Sequence, residues 1–234
     1  MPSYYCPELS TDSKIVTLQG DEYHHLSRVK RTNIGDLIRL NSGKGYLAEA
    51  RVVSIGKQSA DLDIIQTITT CSSLPHYAIA FALLKNHHDE LAIEKCTELG
   101  ARDFFPFTSK YSVRNEGKHT IARFDRIALA AIKQCDNPFL PQVHPILPLE
   151  ATVALIWEKG YMPILCSEVE QITMLKDIHI TVHPCFIIGP EGGFSEAELI
   201  ALQDIQSIKL LPLICRAETA AIAVSAQYAG LNRS

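Results

Sequence analysis

Residues 184–198 run Pro-Cys-Phe-Ile-Ile, then Gly189-Pro190-Glu191-Gly192-Gly193, then Phe-Ser195-Glu-Ala-Glu198. Cys185–Ile188 is apolar enough for a buried strand, and Ser195 with Glu198 spells a helix capping box. Strand, glycine turn and helix in that order mark the place where α/β proteins hold ligands. Gly192 and Gly193 allow positive φ and a close backbone approach to a bound group. Spacing alone equally allows a tight turn whose glycines serve geometry only. No Gly-Lys-Ser/Thr follows, so the lysine of a phosphate-cradling loop is missing, and the glycine spacing does not match the dinucleotide fingerprint. Glu191 would repel a phosphate at a helix N-terminus, which favours a neutral or partly cationic ligand.

Other reactive residue types offer less. Seven cysteines, at 6, 71, 96, 135, 166, 185 and 215, are odd in number and scattered without a Cys-x-x-Cys pair. That pattern opposes a disulfide framework and a zinc site, and apolar neighbours fit small core residues better than nucleophiles. The histidine pairs 24/25 and 87/88 invite a metal. Neighbouring side chains diverge on a helix or strand, however, and no carboxylate stands at a convincing ligand spacing, so no metal site is assigned.

The elements that must position the glycine loop follow from periodicity. Strands are expected at Lys14–Leu18, Leu37–Asn41, Tyr46–Ser54 and Ala60–Thr67, with a short helix at Asp21–Arg28, which together read as a small β-barrel or sandwich. Thr69–Pro75 has linker composition. From His76 strands alternate with helices, the mark of an α/β domain. Strands are expected at Tyr77–Leu83, Asp103–Phe107, Met162–Cys166, Cys185–Ile188 and Ser207–Leu211. Helices are expected at Asp89–Leu99, Ile121–Cys135, Leu149–Glu158, Glu196–Asp204 and Thr219–Leu231. In Asp89–Leu99 the residues Leu91, Cys96 and Leu99 would face inward, while Glu90, Glu94 and Glu98 would form a solvated stripe.

A chain of 234 residues exceeds the usual single domain, and a small plus a larger domain is the natural division. No apolar stretch approaches the roughly 18 residues of a membrane span, and the start lacks a secretory signal pattern, so a cytoplasmic protein without membrane contact is expected. The net charge of −4 does not advertise a nucleic-acid binder. Its distribution does more: Arg28, Lys30, Arg31, Arg39, Lys44, Arg51 and Lys57 face only Asp36 and Glu49 in their window, a local excess able to meet a phosphate backbone or simply to coat a solvated face.

Several segments then occur together and in order. They are His24-His25-Leu-Ser-Arg28-Val-Lys30-Arg31 with Ile34-Gly35-Asp36, Leu84-Lys85 with Glu94-Lys95-Cys-Thr97-Glu98-Leu99-Gly100, Ile188–Ser195, and Arg216-Ala-Glu218-Thr219-Ala220. Over nearly its whole length the chain resembles the ribosomal RNA small subunit methyltransferase E family, bacterial 16S rRNA uridine-N3 methyltransferases of the SPOUT superfamily. The resemblance implies a PUA-like β-barrel for RNA at 1–71 and an α/β SPOUT domain with a trefoil knot at 74–234, working as a homodimer. It implies S-adenosylmethionine held by three knot loops: Leu165, Cys166 and Glu168 in the first; Gly189, Pro190, Glu191, Gly192 and Gly193 in the second; Leu210, Leu211, Ile214 and Cys215 in the third. Arg216 would stabilise or position the uridine, with Glu218 beside it as an orienting group or proton acceptor. Arg28, Lys30, Arg31, Arg39, Lys44, Lys110 and Arg114 would meet 16S rRNA, within the small ribosomal subunit.

Three departures stand out. Leu210–Arg216 loses a glycine and an arginine of the family pattern, Tyr111-Ser112 replaces Arg-Ser, and Lys133-Gln134-Cys135-Asp136-Asn137 replaces Glu-Gln-Ser-x-Arg. Lys110, Arg114 and Lys133 supply charge but not a bidentate arginine contact. A protein that keeps the fold and binds RNA or the ribosome without catalysis is the competing reading.

Overall fold

In the computed structural model, residues 3–69, 75–112, 117–168 and 172–231 are described. Two compact units divide the chain: Met1–Ser73 with Leu129–Leu140, and Leu74–Ala128 with Pro141–Ser234. Most of the linker expected at 69–75 lies outside the described residues, as does Arg114.

The first unit is built on alternation. Five strands, β1 (Tyr4–Tyr5), β2 (Ile15–Gln19), β3 (Leu37–Asn41), β4 (Tyr46–Ile55) and β5 (Ser59–Thr69), form one sheet in the order β1-β3-β4-β5-β2. Along β4, Ala48, Ala50 and Val52 are buried while Glu49, Arg51 and Val53 face out, the period-two pattern of a sheet wet on one side. A helix α1 (Gly20–His24) runs on as a π-helical turn, His25–Val29, where an unbroken short helix was expected, and Leu26 anchors it in the core. The end of the long helix and its loop join this unit through buried polar contacts. Asn41 Nδ2 donates to the Asn137 carbonyl at 2.8 Å, and Lys133 Nζ meets Glu22 Oε1 at 2.6 Å.

In the second unit β6 (Ala78–Ala82) and β11 (Pro184–Ile188) are buried at every position. Such continuous apolar runs belong in a sheet covered on both faces. With β7 (Asp103–Thr108), β8 (Gln142–Val143), β10 (Met162–Cys166) and β12 (Ser207–Ile208) they form a parallel sheet in the order β12-β10-β11-β6-β7-β8, and β9 (Leu147–Pro148) also pairs with β7. The helices are α2 (His88–Glu98), α3 (Thr120–Cys135), α4 (Leu149–Glu158), α5 (Glu196–Ala201) and α6 (Ala217–Leu231). On one face Phe105, Phe107, Leu149, Ile156 and Leu165 share a core, and each such side chain contributes about 1.5–3 kcal/mol by leaving water.

Two expectations for α2 are corrected. Leu91 is 43% exposed, because α2 turns Asp89, Ala92, Ile93, Cys96 and Thr97 inward, and Ser225 Oγ of α6 donates to Cys96 Sγ at 3.2 Å. Glu90 is not part of a solvated stripe. His87 Nδ1 at 2.6 Å and Arg123 Nε at 2.8 Å both reach its Oε1, whereas Glu94 and Glu98 flank Lys95 on the surface. Strand Ser207–Ile208 and helix Glu196–Ala201 are shorter than expected, and α6 starts two residues earlier, at Ala217.

Candidate functional site

Register fixes where the loops meet. Cys166 pairs with Ile188 of β11 on one side and Ile208 of β12 on the other, Ile188 pairs with Phe81, and Ala82 with Phe107. All these strands are parallel, so the segments that follow them leave the same carboxyl edge of the sheet. Leu165, Cys166 and Glu168, the Gly189–Gly193 turn and Leu210–Arg216 are thereby brought to one edge, together with Leu84–His88 and Ser109–Ser112. That edge is where α/β sheets place ligands.

The glycine turn is built for tight approach. The Gly193 N–H donates to the Pro190 carbonyl at 2.9 Å, and Gly193 has φ +73°. Gly192 does not take positive φ, contrary to expectation; it lies in close approach instead, where a Cβ would stand 3.0 Å from Tyr111 Cβ. A Cβ on Gly189 would lie 2.7 Å from the Phe194 ring, which stacks on Phe107 at 6.4 Å between centroids. Glu191 is exposed, and its Oε1 accepts the Lys85 N–H over a long 3.4 Å.

The turn is held from behind by the expected capping box. Glu198 Oε2 accepts the Ser195 N–H and hydroxyl, each at 2.8 Å, and its Oε1 accepts the Lys110 N–H at 2.9 Å. Burial raises the Glu198 pKa, but these bonds and one from Ser109 overcome it, and the net shift is below the ordinary carboxylate value. One carboxylate thus ties the start of α5 to the loop after β7.

On the third loop the Ser167 N–H donates to the Ile208 carbonyl at 2.9 Å, and Gln227 Nε2 holds the Leu210 carbonyl at 3.0 Å. Leu210 is buried, Cys215 half-buried, and Leu213 and Ile214 are each 80% exposed. Leu213 and Ile214 thus stand outward from this loop while Leu210 anchors it. Arg216 caps α6 through its carbonyl, which accepts the Ala220 N–H at 2.9 Å, and its side chain is exposed. Glu218 turns inward instead. Its Oε1 lies 3.0 Å from His88 Nδ1, and its Oε2 is buried without a hydrogen-bond partner. Nothing in the sequence signalled His88 as that partner, because the contact joins two helices far apart in the chain. Left-handed Asn86 (φ 51°) and His87 (φ 61°) deliver it there.

The remaining candidates divide. Arg28, Lys30 and Arg31 stand exposed in the first unit. Arg39 is exposed but pairs with Asp136 at 2.6 Å, and Lys44 Nζ donates to the Pro7 carbonyl at 3.0 Å. Lys133, which was to replace a lost arginine, spends its charge on Glu22. His87, Asp89 and Glu90 do bring ligand-type atoms within 4.8 Å of one another, a grouping the spacing had not suggested, but the Arg123 guanidinium already occupies Glu90. Burial pushes the Cys6 thiol up to about 11 and the Cys96 thiol up to about 12, as core residues rather than nucleophiles require. No helix among the described residues is long and apolar enough to cross a membrane.

The chain resembles known proteins over most of its length. The RNA methyltransferase domain family matches residues 72–229, and the RNA methyltransferase PUA domain family matches 18–65. The ribosomal RNA small subunit methyltransferase E of Synechocystis sp. is 29% identical over 94% of this chain and 74% of its own length. That of Mesomycoplasma hyopneumoniae is 30% identical over 76% of this chain and 80% of its own. The crystal structure of the Neisseria gonorrhoeae enzyme of the same name, bound to S-adenosyl methionine, superposes with a TM-score of 0.87 at 27% identity, covering 99% of this chain and 98% of that one.

Proposed function

Because the chain belongs to the ribosomal RNA small subunit methyltransferase E family, we propose that it transfers a methyl group from S-adenosylmethionine to N3 of a uridine in 16S rRNA. The observation that carries this reading is the strand register that sends Leu165–Glu168, Gly189–Gly193 and Leu210–Arg216 from one sheet edge. These are the segments that would form the knot and enclose the cofactor. The site suits such a group: the turn carries no lysine for a phosphate, and its exposed Glu191 favours a ligand with positive charge. Bound there, S-adenosylmethionine supplies an electrophilic methyl on a positively charged sulfur.

The chain's own residues align and stabilise. N3 exchanges its proton for the methyl group, and negative charge develops on the uracil as that proton leaves. Arg216 stands at the N-terminus of a fifteen-residue helix, where an exposed guanidinium and the helix dipole act in the same sense on that charge. Glu218 holds the first turn of α6 against His88. Both of its oxygens face inward, which fits a positioning role beside Arg216 rather than proton acceptance. Arg28, Lys30 and Arg31 in the first unit supply charge for the RNA backbone. A homodimer in the cytoplasm, acting on the small ribosomal subunit, completes the reading. Purified protein given methyl-labelled S-adenosylmethionine tests it: label enters 16S rRNA, free or in small subunits, and no incorporation into either removes the proposal.

A further inference from the structure

Tyr111 stands beside the glycine turn without a part in the methyl transfer. It follows β7 at the sheet edge that carries the glycine turn, and the residue is 46% exposed although its backbone is firmly held. The hold is double. The preceding Lys110 N–H is bound by Glu198, and Tyr111 Cβ and backbone oxygen lie against Gly192, so close that a Cβ on Gly192 would come within 3.0 Å. A further bond, Ser112 N–H to the Ser109 carbonyl at 3.0 Å, closes the turn over 109–112. Lys110 Nζ lies 5.7 Å from the Tyr111 ring centroid, a cation over the ring face.

An aromatic ring on an anchored loop, half exposed, with a cation beside it and the glycine turn under it, has the makings of a base-stacking platform. Single-stranded RNA is recognised by such rings, because every base has a π-face, and the neighbouring ammonium meets the phosphate. We infer that Tyr111 stacks against a base of the RNA substrate, the target uridine or its immediate neighbour, and holds it beside the Gly189–Gly193 turn. The inference rests on the proposed RNA methylation and adds to it the residue that seats the base. It also explains why Gly192 is glycine with an ordinary backbone: its missing side chain is the room in which Tyr111 sits.

The test measures binding without chemistry. The full chain, with S-adenosylhomocysteine, is mixed with a short single-stranded RNA carrying 5-iodouridine, irradiated, and the attached peptide mapped, while affinity is followed by fluorescence anisotropy. Attachment at Tyr111 is expected. Tyr111→Ala should weaken RNA binding about tenfold, Tyr111→Phe should keep it within about twofold, and neither should alter the melting shift produced by S-adenosylhomocysteine. Equal affinity of Tyr111→Ala and the unaltered chain, equal losses in the Ala and Phe variants, attachment elsewhere, or no binding at all would each overturn the inference. Methyl transfer by the unaltered protein, measured separately, decides the underlying reading on its own.

Discussion

Glu218 Oε1 lies 3.0 Å from Nδ1 of His88, tying the first turn of α6 to the first residue of α2 while the other carboxylate oxygen stays buried and unpaired. A half-satisfied buried carboxylate is costly to keep, and removing its one partner makes it costlier. His88→Ala is expected to destabilise the protein by about 1–3 kcal/mol, and Glu218→Leu in the same chain should recover part of that loss. Urea denaturation of the single and double variants checks it. Equal stability of His88→Ala and the unaltered protein would show that the pair is idle.

The glycine turn yields a ranking. Gly189→Ala must drive Phe194 off its stack on Phe107, at a cost of about 1–3 kcal/mol as for other overpacked sites. Gly193→Ala meets no atom within 4 Å but retains φ +73°, a penalty of about 1 kcal/mol. Denaturation midpoints should fall further for Gly189→Ala; the reverse order would contradict the packing described.

Acid sensitivity should originate at the amino edge of the same sheet. His76 Nε2 lies 3.1 Å from the Tyr161 hydroxyl, and the His76 ring stacks on His183 at 3.7 Å between centroids. Burial, then His183 and Arg102, lower its pKa against the opposing pull of Asp103. For a base with a depressed folded pKa, the unfolded chain takes up the proton first. Its contribution to stability is therefore intact above about pH 6.5 and is lost as the pH falls through the lower folded value. Replacing His76 by Phe should flatten the decline in stability between pH 6.5 and 5; an unchanged slope assigns the sensitivity elsewhere.

Much of this was legible in the sequence, for identifiable reasons. The buried strands declared themselves because both of their faces are covered, and the Ser195–Glu198 box because its geometry is local. Leu91 misled because an apolar residue signals burial only if the helix turns that way, and α2 turns instead toward α6. Gly192 misled because a glycine needed for close approach looks, in sequence, like one needed for positive φ. The His88–Glu218 contact and the Glu198 bond to Lys110 had no local signal, since each joins segments that meet only in the folded sheet.

Arg216 separates binding from chemistry. Arg216→Ala should reduce methyl transfer at least about a hundredfold, as loss of a charge-stabilising donor does, with S-adenosylhomocysteine affinity within a few-fold. Single-turnover transfer and a thermal-shift titration on the same variant check both halves. Full activity would remove Arg216 from the site.

Methylation of 16S rRNA by this protein is measured directly by nucleoside mass spectrometry of 16S rRNA from cells with and without it. One N3-methyluridine is expected to disappear with the gene, to return with the unaltered chain and not to return with Arg216→Ala. A complement of modified nucleosides identical in both cells would contradict it and leave a protein that binds RNA without modifying it.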